Sequence, residues 1–161
     1  MGLADWIKGF RALHEKAKQG LLGSAEAAEY LRAREELARA LLGAQRLSVP
    51  EGESARKMLR VARACQVTID LASGSQKGMT VDLSQSGFGA IIGKPPDQGE
   101  TVGLQLRLPG DPTPLVARAK TQGLKRQGGT YRVSFVFEPL LEADADRLGF
   151  AIFDTALSQL G

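Results

Sequence analysis

The sequence predicts a mainly β fold with flanking helices. A small antiparallel barrel or sandwich of six strands lies between an N-terminal helical hairpin and a C-terminal helix. Three observations carry this reading. Apolar residues recur at helical spacing up to about residue 46. From Val61 the period changes to two, in short runs separated by Gly- and Pro-rich turns. After residue 137 the helical period returns.

Residues 3–19 read as the first helix, with Trp6, Phe10, Leu13 and Ala17 on one face. Gly20-Leu-Leu-Gly23 breaks it, and Ser24 is the expected N-cap of a second helix over 25–46 with Glu26 in its first turn. The apolar face of that helix is Ala27, Tyr30 or Leu31, Ala38, Leu41 and Leu42. The two make a helical hairpin. Pro50-Glu-Gly-Glu reads as a linker. It divides residues 1–50, the hairpin, from residues 51–161, the barrel with its C-terminal helix.

In the first strand Val61, Cys65, Val67, Ile69 and Leu71 alternate with polar or small residues. Ser73–Gly78 is the expected turn, followed by short strands at Met79–Leu83 and Phe88–Gly93. After a loop at 94–99, Val102, Leu104, Leu106 and Leu108 alternate with Gly103, Gln105 and Arg107. Pro109–Pro112 turns the chain again. The last strands are expected at 115–123 and 130–137, joined by Lys125–Gly129. A barrel is preferred over a sandwich because closure leaves no long strand edge open to aggregation. Residues 141–160 read as the closing helix, with Leu148, Ile152, Ala156 and Leu160 as its stripe and Asp144 and Asp146 near its N-terminal end.

At 161 residues the chain is one domain, or one small domain with an appendage. Hydrophobic residues at 43% and charged residues at 24% suit a packed core rather than a disordered chain. A net charge of +3 fits an anionic ligand but is too small to argue for nucleic acid or a membrane surface. A single cysteine excludes an internal disulfide and a thiolate zinc cluster, and a single histidine excludes a multi-histidine metal site. The N-terminus lacks the pattern of a signal peptide, and Trp6 stands where a myristoylation motif needs Ser or Thr. No apolar run approaches a membrane span, so a cytoplasmic protein without membrane insertion is expected.

Two motifs carry the chemistry. Arg56-Lys-Met-Leu-Arg60 sets two guanidiniums four residues apart, just before the first strand. Asp82-Leu-Ser-Gln-Ser-Gly87 places a carboxylate, a hydroxyl and a glycine on a turn between two strands. A guanidinium donates in pairs to phosphate oxygens or to guanine O6 and N7, and its face stacks on a base. Asp82 can accept from guanine N1–H and the exocyclic amine. Ser84 can donate or accept beside it, and Gly87 is expected to allow close backbone approach and a positive φ. Either motif alone reads more readily as a solvated face or an Asx-type turn. Their order and their separation by one strand and one turn point to a ligand with phosphates and purine edges.

These motifs, "RKMLRVARACQVTIDL" followed by "VDLSQSGFGAII", resemble those of the PilZ family of bacterial cyclic di-GMP receptors over residues 54–160. The resemblance implies a six-stranded antiparallel barrel with a C-terminal helix. It also implies that Arg56 and Arg60 hold guanines and phosphates, that Asp82 and Ser84 contact guanine, and that Gly87 permits the turn. Ser134 stands where many members carry glycine late in the last strand, which should alter affinity rather than abolish binding. Ala55 stands where members that bind a stacked ligand pair carry a further arginine, which favours a single bound ligand here; Arg63 is a candidate to compensate.

The remaining reactive residues have plainer readings. Cys65 falls in core phase and reads as a small buried hydrophobe. His14 reads as a helix-surface residue, and Trp6 and Phe10 as packing anchors. Lys125 and Arg126 read as a solvated strand end that can add positive field. No phosphate-binding loop, Cys/His pair or His-Glu-x-x-His occurs, which argues against an enzyme, and no cofactor or metal is expected. The predicted function is a cyclic di-GMP receptor that signals through a ligand-ordered N-terminal segment to a protein partner. The alternative is an adaptor of the same fold that binds no nucleotide and works through protein contacts or self-association of its N-terminal helices. Few aromatics, all in core phase, argue against a nucleic-acid-binding barrel.

Overall fold

The computed structural model describes residues 2–47 and 59–160. The chain divides into two compact units, Met1–Leu59 with Ala156–Gly161, and Arg60–Thr155. The expected linker at Pro50 lies outside the described residues.

The first unit contains α1 (Leu3–Lys18) and α2 (Ser24–Leu47). Helix α1 stops in a Schellman turn. Gly20, at φ 72°, donates its N–H to Ala17 C=O, and Leu21 N–H reaches Lys16 C=O at 3.0 Å. Helix α2 begins one residue earlier than the sequence suggests. Gly23 C=O accepts the first helical bond, from Ala27 N–H, so Gly23 rather than Ser24 is the N-cap. Lys16 pairs with Glu26 across the turn at 2.7 Å.

The hairpin corrects the reading of His14, which is 1% exposed. Trp6, Phe10 and His14 recur every four residues, so they stack along one row facing α2. Phe10 stacks on Tyr30 at 5.6 Å, and His14 Nδ1 lies 2.7 Å from the Tyr30 hydroxyl. A buried imidazole is tolerated because the facing helix supplies its partner. Of Tyr30 and Leu31, Tyr30 is the buried one, and Leu37, one heptad on, is buried with it.

The second unit is a closed antiparallel barrel of six strands. They are β1 (Gln66–Leu71), β2 (Gly74–Leu83), β3 (Gly87–Ile92), β4 (Thr101–Leu106), β5 (Leu115–Gln127) and β6 (Thr130–Phe137). The order around the barrel is β1-β2-β3-β6-β5-β4, and β1 closes it by pairing with both β2 and β4. The interior is filled by alternating residues, among them Val67, Ile69, Leu83, Phe88, Leu104, Leu106, Leu115 and Phe135, all buried. Phe88 and Phe135 stack at 5.1 Å.

Three strand boundaries differ most from the sequence reading. The turn expected at 73–78 is a two-residue turn, with Leu71 paired to Gly74, and β2 runs straight through the polar stretch. Likewise β5 extends to Gln127, and Gly128 (φ 60°) with Gly129 makes the turn. Both hairpin arms are largely exposed, so backbone pairing holds them and no apolar alternation marks them. Conversely, Val61–Cys65 is not continuous strand. Val61 forms an isolated bridge with Leu83, and the Thr80 hydroxyl then intercepts the backbone, donating to Arg63 C=O at 2.6 Å and accepting from Cys65 N–H at 2.8 Å.

Helix α3 (Glu142–Gln159) buries Leu148, Ile152 and Ala156 as expected, with Leu157 in place of Leu160, which is exposed beyond the helix end. Its first turns are fastened to the β4–β5 loop by Arg147. That guanidinium donates to Asp111 at 2.8 Å, to Asp144 at 3.3 Å and to Thr113 C=O. No described helix is long and apolar enough to cross a membrane.

Candidate functional site

The site is built by a bulge. Thr80 pairs with Ala90 and Asp82 with Gly89, so Val81 is an extra residue in β2. Strict alternation would put Thr80 and Asp82 on the same side. The bulge instead leaves Thr80 inside, opposite buried Ala90, and turns Asp82 to the outer face.

There Asp82 is fixed from three directions. Its Oδ1 accepts Gly89 N–H at 2.9 Å. Its Oδ2 faces Arg132 Nη2 at 3.4 Å and Arg60 Nη1 at 3.6 Å. Arg60 is brought there because the next residue, Val61, exchanges backbone bonds with Leu83 at 2.9 and 2.8 Å. Arg60 is expected from its motif, whereas Arg132 belongs to neither motif. Arg132 stands two residues before Ser134 on the same outward phase of β6, which was the available signal.

The turn after Asp82 is held by Ser84. Its hydroxyl accepts Gly87 N–H at 3.2 Å and Ser86 N–H at 3.3 Å, and its own backbone N–H donates to Gly87 C=O at 2.9 Å. Ser84 is therefore 2% exposed and occupied within the turn. Gly87 has the close approach expected of it but not the positive φ. A Cβ there would sit 2.0 Å from Phe135 C=O, so the neighbouring strand, not the turn, demands glycine.

Outward from Asp82 the register runs Asp82, Gly89, Ser134, Gly123 across β2, β3, β6 and β5. Three strand spacings make this a low floor about 14 Å wide. A second bulge, at Gln122, keeps Gly123 in line with Ser134. Arg132 borders the floor, with Lys125 directly across from it on β5. A carboxylate with guanidiniums at the edge of a floor without large side chains can take a flat, anionic ligand with hydrogen-bonding edges.

Arg56 lies outside the described residues. Arg63 is exposed and makes no ion pair with Asp82. Instead it lies by Cys65, whose thiol is pushed up chiefly by burial, against weaker opposing effects of the Thr80 hydroxyl and of Arg63. Arg126 pairs with Tyr131, one residue beyond Lys125. No group of three or more metal-ligating side chains occurs among the described residues.

The chain matches the PilZ domain family over residues 54–154 and belongs to it. Solved structures share the fold. The Bacillus subtilis inhibitor of motility MotI/DgrA is 15% identical, with a TM-score of 0.58 over 69% of this chain and 57% of that one. The PilZ domain of Escherichia coli YcgR, solved with c-di-GMP, is 18% identical with a TM-score of 0.55, over 66% of this chain and 95% of that domain. The K. pneumonia MrkH–c-di-GMP complex is 14% identical with a TM-score of 0.56, over 67% and 54% respectively. The chain thus spans little more than half the length of MotI/DgrA and MrkH. No curated protein sequence matches.

Proposed function

We propose that this protein is a cyclic di-GMP receptor and that the barrel face around Asp82 holds the ligand. The observation that carries the reading is Asp82 itself, turned outward by a bulge and flanked by Arg60 and Arg132 on a PilZ barrel. Relatives of this fold, the YcgR PilZ domain and MrkH, were solved with that ligand.

In this reading Asp82 exchanges its guanidinium partners for the N1–H and amine of guanine. Arg60, with Arg56, turns to the phosphates and base faces. Ser84 and Gly87 keep the turn in place, and Arg63 and Ser134 are accessory. Binding orders residues 51–60 and re-aims the helical domain of residues 1–50 toward a protein partner. The protein binds rather than catalyses, and works in the cytoplasm.

One observation favours the adaptor alternative. Asp82 and Ser84 are already satisfied within the protein, so neither needs a ligand. Calorimetric titration of cyclic di-GMP into wild type, Arg60→Ala and Asp82→Ala separates the two. Saturable heat at one ligand per chain, weakened at least tenfold in each variant, supports the receptor. No heat with wild type leaves the adaptor. Unchanged hydrogen exchange over residues 48–62 at saturation sinks the ordering step alone.

A further inference from the structure

Away from Asp82, the outer side of β1, β2 and β4 carries a cavity of about 430 Å³. The strand register lays its lining out as two rows of three. Thr68 of β1 stands between Lys77 of β2 and Gln105 of β4. In the next row Gln66 stands between Met79 of β2 and Arg107, whose backbone N–H donates to Gln66 C=O at 2.9 Å. Their chain neighbours Val67, Ile69, Leu104 and Leu106 are buried, so these six residues face outward. Gly78, between Lys77 and Met79, lies so close to β3 that a Cβ would come within 2.6 Å of Ile91 C=O.

The charges in this cavity are unbalanced. Lys77 and Arg107 form no ion pair with any described residue, whereas Arg60, Arg118, Arg132 and Arg147 all face carboxylates. No lining residue is acidic. The next outward residue along β1, Asp70, is taken up by the Ser75 hydroxyl at 2.5 Å. Residues carrying an ammonium, a guanidinium, two carboxamides and a hydroxyl thus border one recess, with Met79 and Pro114 as apolar flanks.

We propose that this cavity is a second ligand site, for a small molecule bearing two acidic groups, one held by Lys77 and one by Arg107. The two cations stand two strands and two residues apart, so their Cβ atoms are separated by about 12 Å. Both side chains are long enough to fold inward over a short dianion. The carboxamides of Gln66 and Gln105 and the Thr68 hydroxyl then donate to its oxygens. Phosphate and carboxylate share this chemistry, and the site is independent of the Asp82 face.

The test is amide-resolved NMR titration of the full chain with pyrophosphate and, separately, glutarate. Saturable shifts confined to residues 66–68, 77–79 and 105–107 are expected with at least one probe. The probe that saturates assigns phosphate or carboxylate. The Lys77→Ala/Arg107→Ala double variant should lose at least tenfold in affinity, while Asp82→Ala should lose none. Shifts that fail to saturate by about 10 mM, that reach Lys94 and Lys125 equally, or that survive in the double variant overturn the site.

Discussion

Asp82 Oδ1 accepts the Gly89 N–H at 2.9 Å directly across the β2–β3 pair. The carboxylate thereby replaces a ladder bond that the bulge at Val81 disrupts. Its other oxygen is left to the guanidiniums of Arg60 and Arg132. One side chain therefore closes the sheet and, although only 6% exposed, sets its charge against the two guanidiniums on the outer face.

These two roles separate by substitution. Asp82→Ala strands a buried N–H and should cost about 1–3 kcal/mol in urea denaturation at neutral pH. Asp82→Asn keeps an acceptor oxygen for Gly89 and should cost less than half as much, yet lose ligand binding with the charge. Equal destabilisation by both would mean that charge, not the hydrogen bond, holds β2 to β3.

The glycines of the site differ in tolerance. Gly87→Ala puts a methyl group against the Phe135 carbonyl and should destabilise the barrel by about 3 kcal/mol. Gly89→Ala meets Asp82 Oδ1 at 3.1 Å, so it should weaken ligand binding more than it weakens the fold. Gly123→Ala meets only Ser134 atoms at 3.7 Å and should be close to neutral. Thermal melts of the three rank these effects, and a neutral Gly87→Ala would contradict the close approach of β6.

Arg147 makes part of the stability pH-dependent. Its hydrogen bond, with a smaller contribution from Thr113 N–H, holds the Asp111 carboxyl below the usual carboxylate range. A carboxyl depressed in the folded state stabilises the fold above its unfolded value, near 4, and that gain is lost as the pH falls through the folded value. Arg147→Ala should cost about 1–2 kcal/mol from pH 5 to 8, and the gap to wild type should narrow below about pH 4. A gap that stays constant to pH 2 would assign the effect to packing alone.

Tyr30→Phe removes the hydroxyl that meets Nδ1 of buried His14 while keeping the ring stack. It should lower the stability of the helical unit by about 1–3 kcal/mol in denaturant, whereas Leu31→Ala, at an exposed position, should change little. Equal effects would mean that the hydroxyl contributes nothing.

Much of this was legible in the chain because burial leaves a periodic trace. Val67, Ile69 and Leu71, or Leu104 and Leu106, alternate because one side of each strand faces the barrel interior. The outer arms of β2 and β5 left no trace, since neither face of those arms is buried. His14 lies four residues after Phe10 and so belongs to the Trp6/Phe10 row rather than opposite it, and its burial is compatible with a polar ring because the facing Tyr30 hydroxyl meets its Nδ1.

The sequence by itself determined the succession of strands and helices, the class of fold, and Arg56, Arg60, Asp82, Ser84 and Gly87 as the residues to examine. These follow from short-range pattern and residue chemistry. Only the tertiary structure decided which side of the sheet Asp82 faces, that Arg132 joins Arg60 beside it, and that Gly87 answers to β6. A bulge and a strand register bring together residues fifty positions apart in sequence, and such pairings depend on how the sheet closes rather than on any local pattern.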